Sequence, residues 1–158
     1  ESFFSNIEKK FMKNNPYHSY SHNLVFLEDY AYLINTLIDL GDSTMKIEYK
    51  IKAKKLCSEA IEKFYVKEKN IFQKNKLTTN DLFFSPIDIS DHTLSNGNSI
   101  MLINFTRLGC LEEAKKLALS LNGYLNIYKN HMVSSIKAID FLNENLNGKK
   151  CSEQGCEI

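Results

Sequence analysis

The chain has 158 residues, 43% hydrophobic and 25% charged, which is enough for one buried core and ordinary for a globular domain. Its 20 Lys and Arg balance 19 Asp and Glu, leaving no charge excess to draw nucleic acid or anionic lipid. No apolar run approaches the roughly 20 residues of a membrane helix and no signal peptide is visible, so a cytoplasmic protein is expected.

Residues 2–11 carry Phe3, Phe4, Ile7 and Phe11 at helical spacing, so the chain reads as beginning inside an element. The breaker cluster Asn14, Asn15, Pro16 follows, and residues 17–22 alternate as an extended segment with His18, Tyr20 and His22 on one face. A helix over 27–40 is apolar on two stripes, one through Leu27, Tyr30, Ala31, Ile34, Leu37 and Ile38, which predicts burial on nearly every side. Gly41, Asp42 and Ser43 are expected to end it and to cap a helix over 44–64 with a single apolar face, Ala53, Leu56, Cys57, Ala60, Ile61 and Phe64.

Two extended stretches, 71–73 and 82–85, suggest a small β-hairpin, and an irregular loop then passes through Asp88, Asp91 and His92. Residues 95–99 open a second buried helix, with Ile100, Met101, Leu102, Ile103, Phe105 and Leu108 around it. An amphipathic partner with Leu111, Ala114, Leu117, Ala118 and Leu121 is expected to close at Asn122 and Gly123. A last helix over 131–146 precedes a polar tail, 148–158, that carries Cys151 and Cys156. Buried helices thus alternate with amphipathic ones, the pattern of an all-α inner-and-outer-ring toroid or of a solenoid of helix pairs, and no sequence period favours the solenoid.

Two polar stretches could carry chemistry. Glu28, Asp29 and Tyr30 stand in the first turn of the first buried helix, where free backbone N–H groups favour negative charge. They read either as a cap with a core tyrosine or as a carboxylate at the mouth of a cavity. Asp88, Asp91 and His92 lead into Asn96, Gly97, Asn98 and Ser99 at the start of the second, and read either as an elaborate cap or as a site for a hydroxylated small molecule. His18 and His22 lie on an extended segment that does not suit zinc, so no metal is expected. Cys57 and Cys110 fall within helical patterns as small hydrophobes, and the four residues between Cys151 and Cys156 do not match a redox Cys-x-x-Cys.

In this order the two stretches resemble the spermatogenesis-associated, thioredoxin-domain-containing family, which has a Leu-Asp-Asp-Tyr-Ala segment and later an Arg-Pro-Lys-Asp loop running into Asp-Gly-Ala-x-Pro-Ser-Gly-Asn-Ser. The matches are Leu27, Asp29, Tyr30 and Ala31, then Pro86, Asp88, Asp91, Gly97, Asn98 and Ser99, with Arg107 and Leu108 following as an Arg-Leu pair does in the family. Ser85, Ile87, His92, Ser95 and Asn96 depart from it, as does His18-Ser19-Tyr20 where the family has Arg-Ser-Trp.

The resemblance implies that residues 1–147 form the C-terminal half of an (α/α)6 toroid with a small β-hairpin insertion. That fold is related to N-acylglucosamine epimerases and six-hairpin glycosidases. A thioredoxin-like domain of the same protein would precede it as its partner. On this reading the domain handles a small carbohydrate without a cofactor. Asp29 and Asp91 would be the catalytic carboxylates, a pair that in an inverting hydrolase stands about 6.5 to 9.5 Å apart. His18, Tyr30, Asp88, His92, Asn96, Gly97, Asn98 and Ser99 would bind substrate. The alternative is a non-catalytic helical scaffold or protein-binding module, and a half-toroid of either kind is expected to bare inner-helix side chains such as Leu33 and Ile103.

Overall fold

Apolar residues spaced three and four apart from Leu27 to Ile38 wind into the first of five α-helices found among the described residues, which are 25–75 and 86–154 of the computed structural model. These are α1 (Leu27–Thr44), α2 (Ile47–Phe64), α3 (Gly97–Leu108), α4 (Leu111–Tyr128) and α5 (Val133–Gln154), with a 3-10 turn at Lys129–His131. The only strands among these residues are β1 (Tyr65–Val66) and β2 (Ile71–Phe72), paired antiparallel. The chain is thus mostly helical and all-α in class. No described helix is long and apolar enough to cross a membrane.

α3 packs between α1 and α5, while α2 lies along α1 and α4 along α3. The starts of α1 and α3 lie together, since a Cβ on Gly97 would stand 2.8 Å from Leu27 Cδ2. Their far ends meet as well: Arg107 donates to Asn35 Oδ1 at 3.0 Å, Asp39 Oδ1 at 2.7 Å and Asp42 Oδ2 at 2.9 Å. The two helices therefore run parallel, and α2 and α4 return antiparallel beside them. One core joins Tyr30, Ile34 and Leu37 of α1, Leu56 and Phe64 of α2, Phe72, Met101 and Phe105, Leu117 and Leu121 of α4, and Leu142 of α5.

Several boundaries differ from the sequence expectation. α1 continues through Gly41 to Thr44 and ends where Met45 turns left-handed, with φ 57°. Gly41 is buried, and a Cβ there would meet Lys50 Cγ at 2.9 Å, so this glycine makes room for α2 and does not stop a helix. α4 likewise runs past Asn122 and Gly123 to Tyr128, because Gly123 keeps helical geometry there. The 3-10 turn takes up 129–131, α5 begins at Val133, and its helical backbone extends to Gln154.

The hairpin is also formed by other partners. Ile71–Phe72 pairs with the residues directly after α2, across a four-residue turn closed by Asn70 at φ 49°, and Gln73 bridges to Ile87. A short turn lets Tyr65 and Phe72 meet edge-to-face at 4.9 Å. The stretch 82–85, expected as the second strand, lies outside the described residues, as do the segments 1–24 with His18 and His22. Leu33 and Ile103 are half-buried against the core, and among the described residues the most exposed large apolar side chains are Met45, Leu119, Ile127 and Ile47.

Candidate functional site: a hydrogen-bonded rim at the helix starts

The starts of α1, α3 and α5 gather at one rim, held by the loop that enters α3. Three helix starts leave backbone N–H groups that demand acceptors, and the Asp, Asn and Ser residues of 88–99 supply them. Asn96 is the cap of α3: its Oδ1 accepts from the Ser99 backbone N at 2.9 Å and from the Ser99 hydroxyl at 3.0 Å. Its amide donates to Asp91 Oδ1 at 2.9 Å and to the Ser134 hydroxyl at 3.1 Å.

Asp91 bridges two helices. Its carboxylate accepts from the Asn96 backbone N at 3.0 Å and from the Ser134 backbone N, in the first turn of α5, at 2.8 Å. The Ser134 hydroxyl donates to it as well. Partial burial raises its pKa, but the hydrogen bonds from Ser134 and Asn96 outweigh that and hold the carboxyl below its ordinary range. Ser99 and Ser135 share a hydroxyl–hydroxyl bond at 2.7 Å, which completes a closed network between α3 and α5.

On the other side of α3, Asn98 is fully buried and acts as a clamp. Its side chain accepts from the Phe72 backbone N and donates to the Phe72 carbonyl, both at 2.9 Å, in the manner of a neighbouring strand. The same amide donates to the Asp88 carbonyl at 2.7 Å. Asp88, 6% exposed, accepts from the Gly97 backbone N at 2.7 Å. Burial pushes its carboxyl pKa up, and the neighbouring Glu28 carboxyl pushes in the same direction against the Gly97 bond and Lys74.

The first motif divides. Asp29 Oδ2 accepts from the Phe26 backbone N at 2.9 Å, a cap of its own helix. Tyr30 is fully buried and faces α2, where its hydroxyl donates to Glu59 at 3.3 Å and receives a bond from Lys63 Nζ at 2.5 Å. Its phenol pKa is raised, by burial first and then by Glu59, so it remains a neutral phenol. His92 is exposed, and Gly97 is where Leu27 and Asp88 crowd the backbone of α3.

The structure thus gathers Asp88, Asp91, Asn96, Gly97, Asn98 and Ser99 into one rim, while Tyr30 points to α2 and His18 falls outside the described residues. The sequence reading missed Ser134 and Ser135 of α5 and, beside the rim, Lys74 and Tyr32. Glu28 pairs with Lys74 at 3.5 Å, and Tyr32 donates to the Ser95 carbonyl at 3.0 Å. Glu28 was visible only as a capping acid, and nothing local marks Lys74. Among the described residues no group of three or more His, Cys, Asp and Glu is arranged to hold a metal.

These features define a mostly helical protein of packed helix hairpins whose polar motif joins three helix starts. No family model matches the chain, and no curated protein matches it significantly.

Proposed function

We propose that this domain is a non-catalytic helical scaffold of the half-toroid type. It resembles the helical part of the spermatogenesis-associated, thioredoxin-domain-containing family, and its expected partner is a thioredoxin-like domain of the same protein. The inner order α1, α3, α5 with α2 and α4 outside supports the toroid-like architecture. The observation that carries the scaffold reading is the use of Asp91, Asn96, Asn98 and Ser99: each is bonded to backbone or to a facing side chain. An ionised carboxylate that caps α5 and anchors the cap of α3 has no proton to give, is a weak base at its lowered pKa, and has few lone pairs to offer a sugar hydroxyl.

A thermal-shift series with neutral monosaccharides and N-acylated amino sugars tests this. No sugar is expected to move the melting temperature of the full chain. A saturable rise that vanishes in Asp91→Asn or in Glu28→Gln would overturn the scaffold reading.

A carbohydrate-handling domain is the second reading, and one observation favours it. Asp88 and Glu28 are neighbouring carboxyls in unequal settings, the first buried with its pKa raised by that burial, the second half-exposed beside Lys74. Such a pair can divide acid and base roles. Under this reading Asp88 and Glu28 replace Asp29 and Asp91 as the working acids, and a sugar-induced stabilisation would be lost in Glu28→Gln.

A further inference from the structure

A cleft of about 370 Å³ opens between the end of α2, the β1–β2 turn and α4. That lies at the small end of the roughly 300 to 1,000 Å³ typical of ligand pockets. Its inner wall is apolar and fixed. Phe105 of α3 is 1% exposed, its ring centroid lies 6.0 Å from that of Phe72, and Phe72 in turn holds Tyr65 edge-on. Ile61 of α2 completes the wall.

The width of the cleft is set by two bonds. The Tyr65 hydroxyl donates to Asn70 Oδ1 at 3.1 Å, and the Ser120 hydroxyl of α4 donates to the Lys69 carbonyl in the turn at 2.8 Å. Burial, with Glu113 adding to it, raises the Tyr65 pKa, so the phenol stays a hydrogen-bond donor. At the mouth, Lys67 stands on the turn and Lys116 on α4, with Glu113 one turn before Lys116. The three charges sum to a single positive one.

We propose that this cleft binds a small aromatic carboxylate, its ring against Tyr65 and Ile61 over the buried Phe105 and its carboxylate between Lys67 and Lys116. The aromatic wall selects a flat apolar body, and the lysines select an anion. Glu113 limits that anion to one charge, because a second would meet its carboxylate. This site is separate from the rim and does not depend on the scaffold reading.

The test is a titration of the full chain with 2-naphthoate, followed by amide ¹H–¹⁵N shifts, with uncharged 2-naphthamide as control. Saturable shifts centred on 61–70, 105 and 113–116 are expected, with the amide bound about fivefold more weakly, the scale of two partly exposed charge contacts. The double substitution K67A/K116A changes only exposed side chains; it should weaken 2-naphthoate about fivefold and leave 2-naphthamide unchanged. Equal affinity for the two probes, shifts centred elsewhere, or no saturable shift at several millimolar overturns the proposal.

Discussion

The Asp91 carboxylate and the Ser134 backbone N–H stand 2.8 Å apart although 43 residues separate them, so that one loop acid caps α5 while it also anchors the Asn96 cap of α3. Charge-assisted bonds of this kind contribute more than neutral ones. Removing the acceptor also strands the donors of two helices together. Asp91→Ala is therefore expected to cost about 2 to 4 kcal/mol, and Asp91→Asn about 1 to 2, read from urea midpoints at pH 7. Because the folded-state pKa of Asp91 is depressed, its contribution is complete above the unfolded value of about 3.9 and is lost as pH falls through the folded value. The wild-type advantage over Asp91→Asn should accordingly shrink below about pH 4; an advantage constant down to pH 2 would show that the charge is irrelevant.

Asp88 titrates in the opposite sense. Its folded-state pKa is raised, so its contribution is complete below about 3.9 and is lost as pH rises through the folded value, where a charge must be held in a buried place beside Glu28. Asparagine keeps an acceptor for the Gly97 N–H and cannot ionise. Asp88→Asn should match the wild type near pH 3 and exceed it by on the order of 1 kcal/mol at pH 7. A variant less stable than wild type at both pH values would mean that the carboxylate is required.

Gly97 and Gly123 separate packing from propensity. A methyl at Gly97 would stand 2.8 Å from both Asp88 Oδ2 and Leu27 Cδ2, whereas a methyl at Gly123 meets nothing within 4 Å. Gly97→Ala is expected to cost about 1 to 3 kcal/mol by driving α1 and the loop away from α3. Gly123→Ala, in the interior of α4, should add about 0.5 to 1 kcal/mol through the lower backbone entropy of the unfolded chain. Thermal melts of the two single variants check both signs.

Cys57 is buried in the face of α2, and burial pushes its thiol up to about 12, with Cys110 adding to the shift. Cys110 is half-exposed, and its thiol is raised first by burial and then by Glu113. Iodoacetamide at pH 8 should label Cys110 slowly, and Cys57 only at the rate of global unfolding. Mass spectrometry of the labelled peptides that found Cys57 modified first would refute this.

The sequence by itself determined the positions of the five helices and the buried stripes of α1 and α2, but neither the ends of α1 and α4 nor the strand that pairs with Ile71–Phe72. The spacing of Leu27, Tyr30, Ala31, Ile34 and Ile38 in α1, and of Ala53, Leu56, Ala60 and Phe64 in α2, is a local periodic property that survives any arrangement of neighbours. It also marked residues 88–99 as an unusual concentration of acceptors before a helix. Tertiary structure decided where those acceptors go. That Asp91 reaches Ser134, that Asn98 pairs with Phe72, and that Tyr30 meets Glu59 and Lys63 of α2 depend on which helices become neighbours. No local pattern encodes this, because a side-chain acceptor is equally able to serve its own helix, a distant one or a ligand. Gly41 misled because a glycine breaks a helix or makes room within one according to what lies against it, as Lys50 does there; Gly123 has nothing within 4 Å and is carried through α4 as an ordinary interior residue.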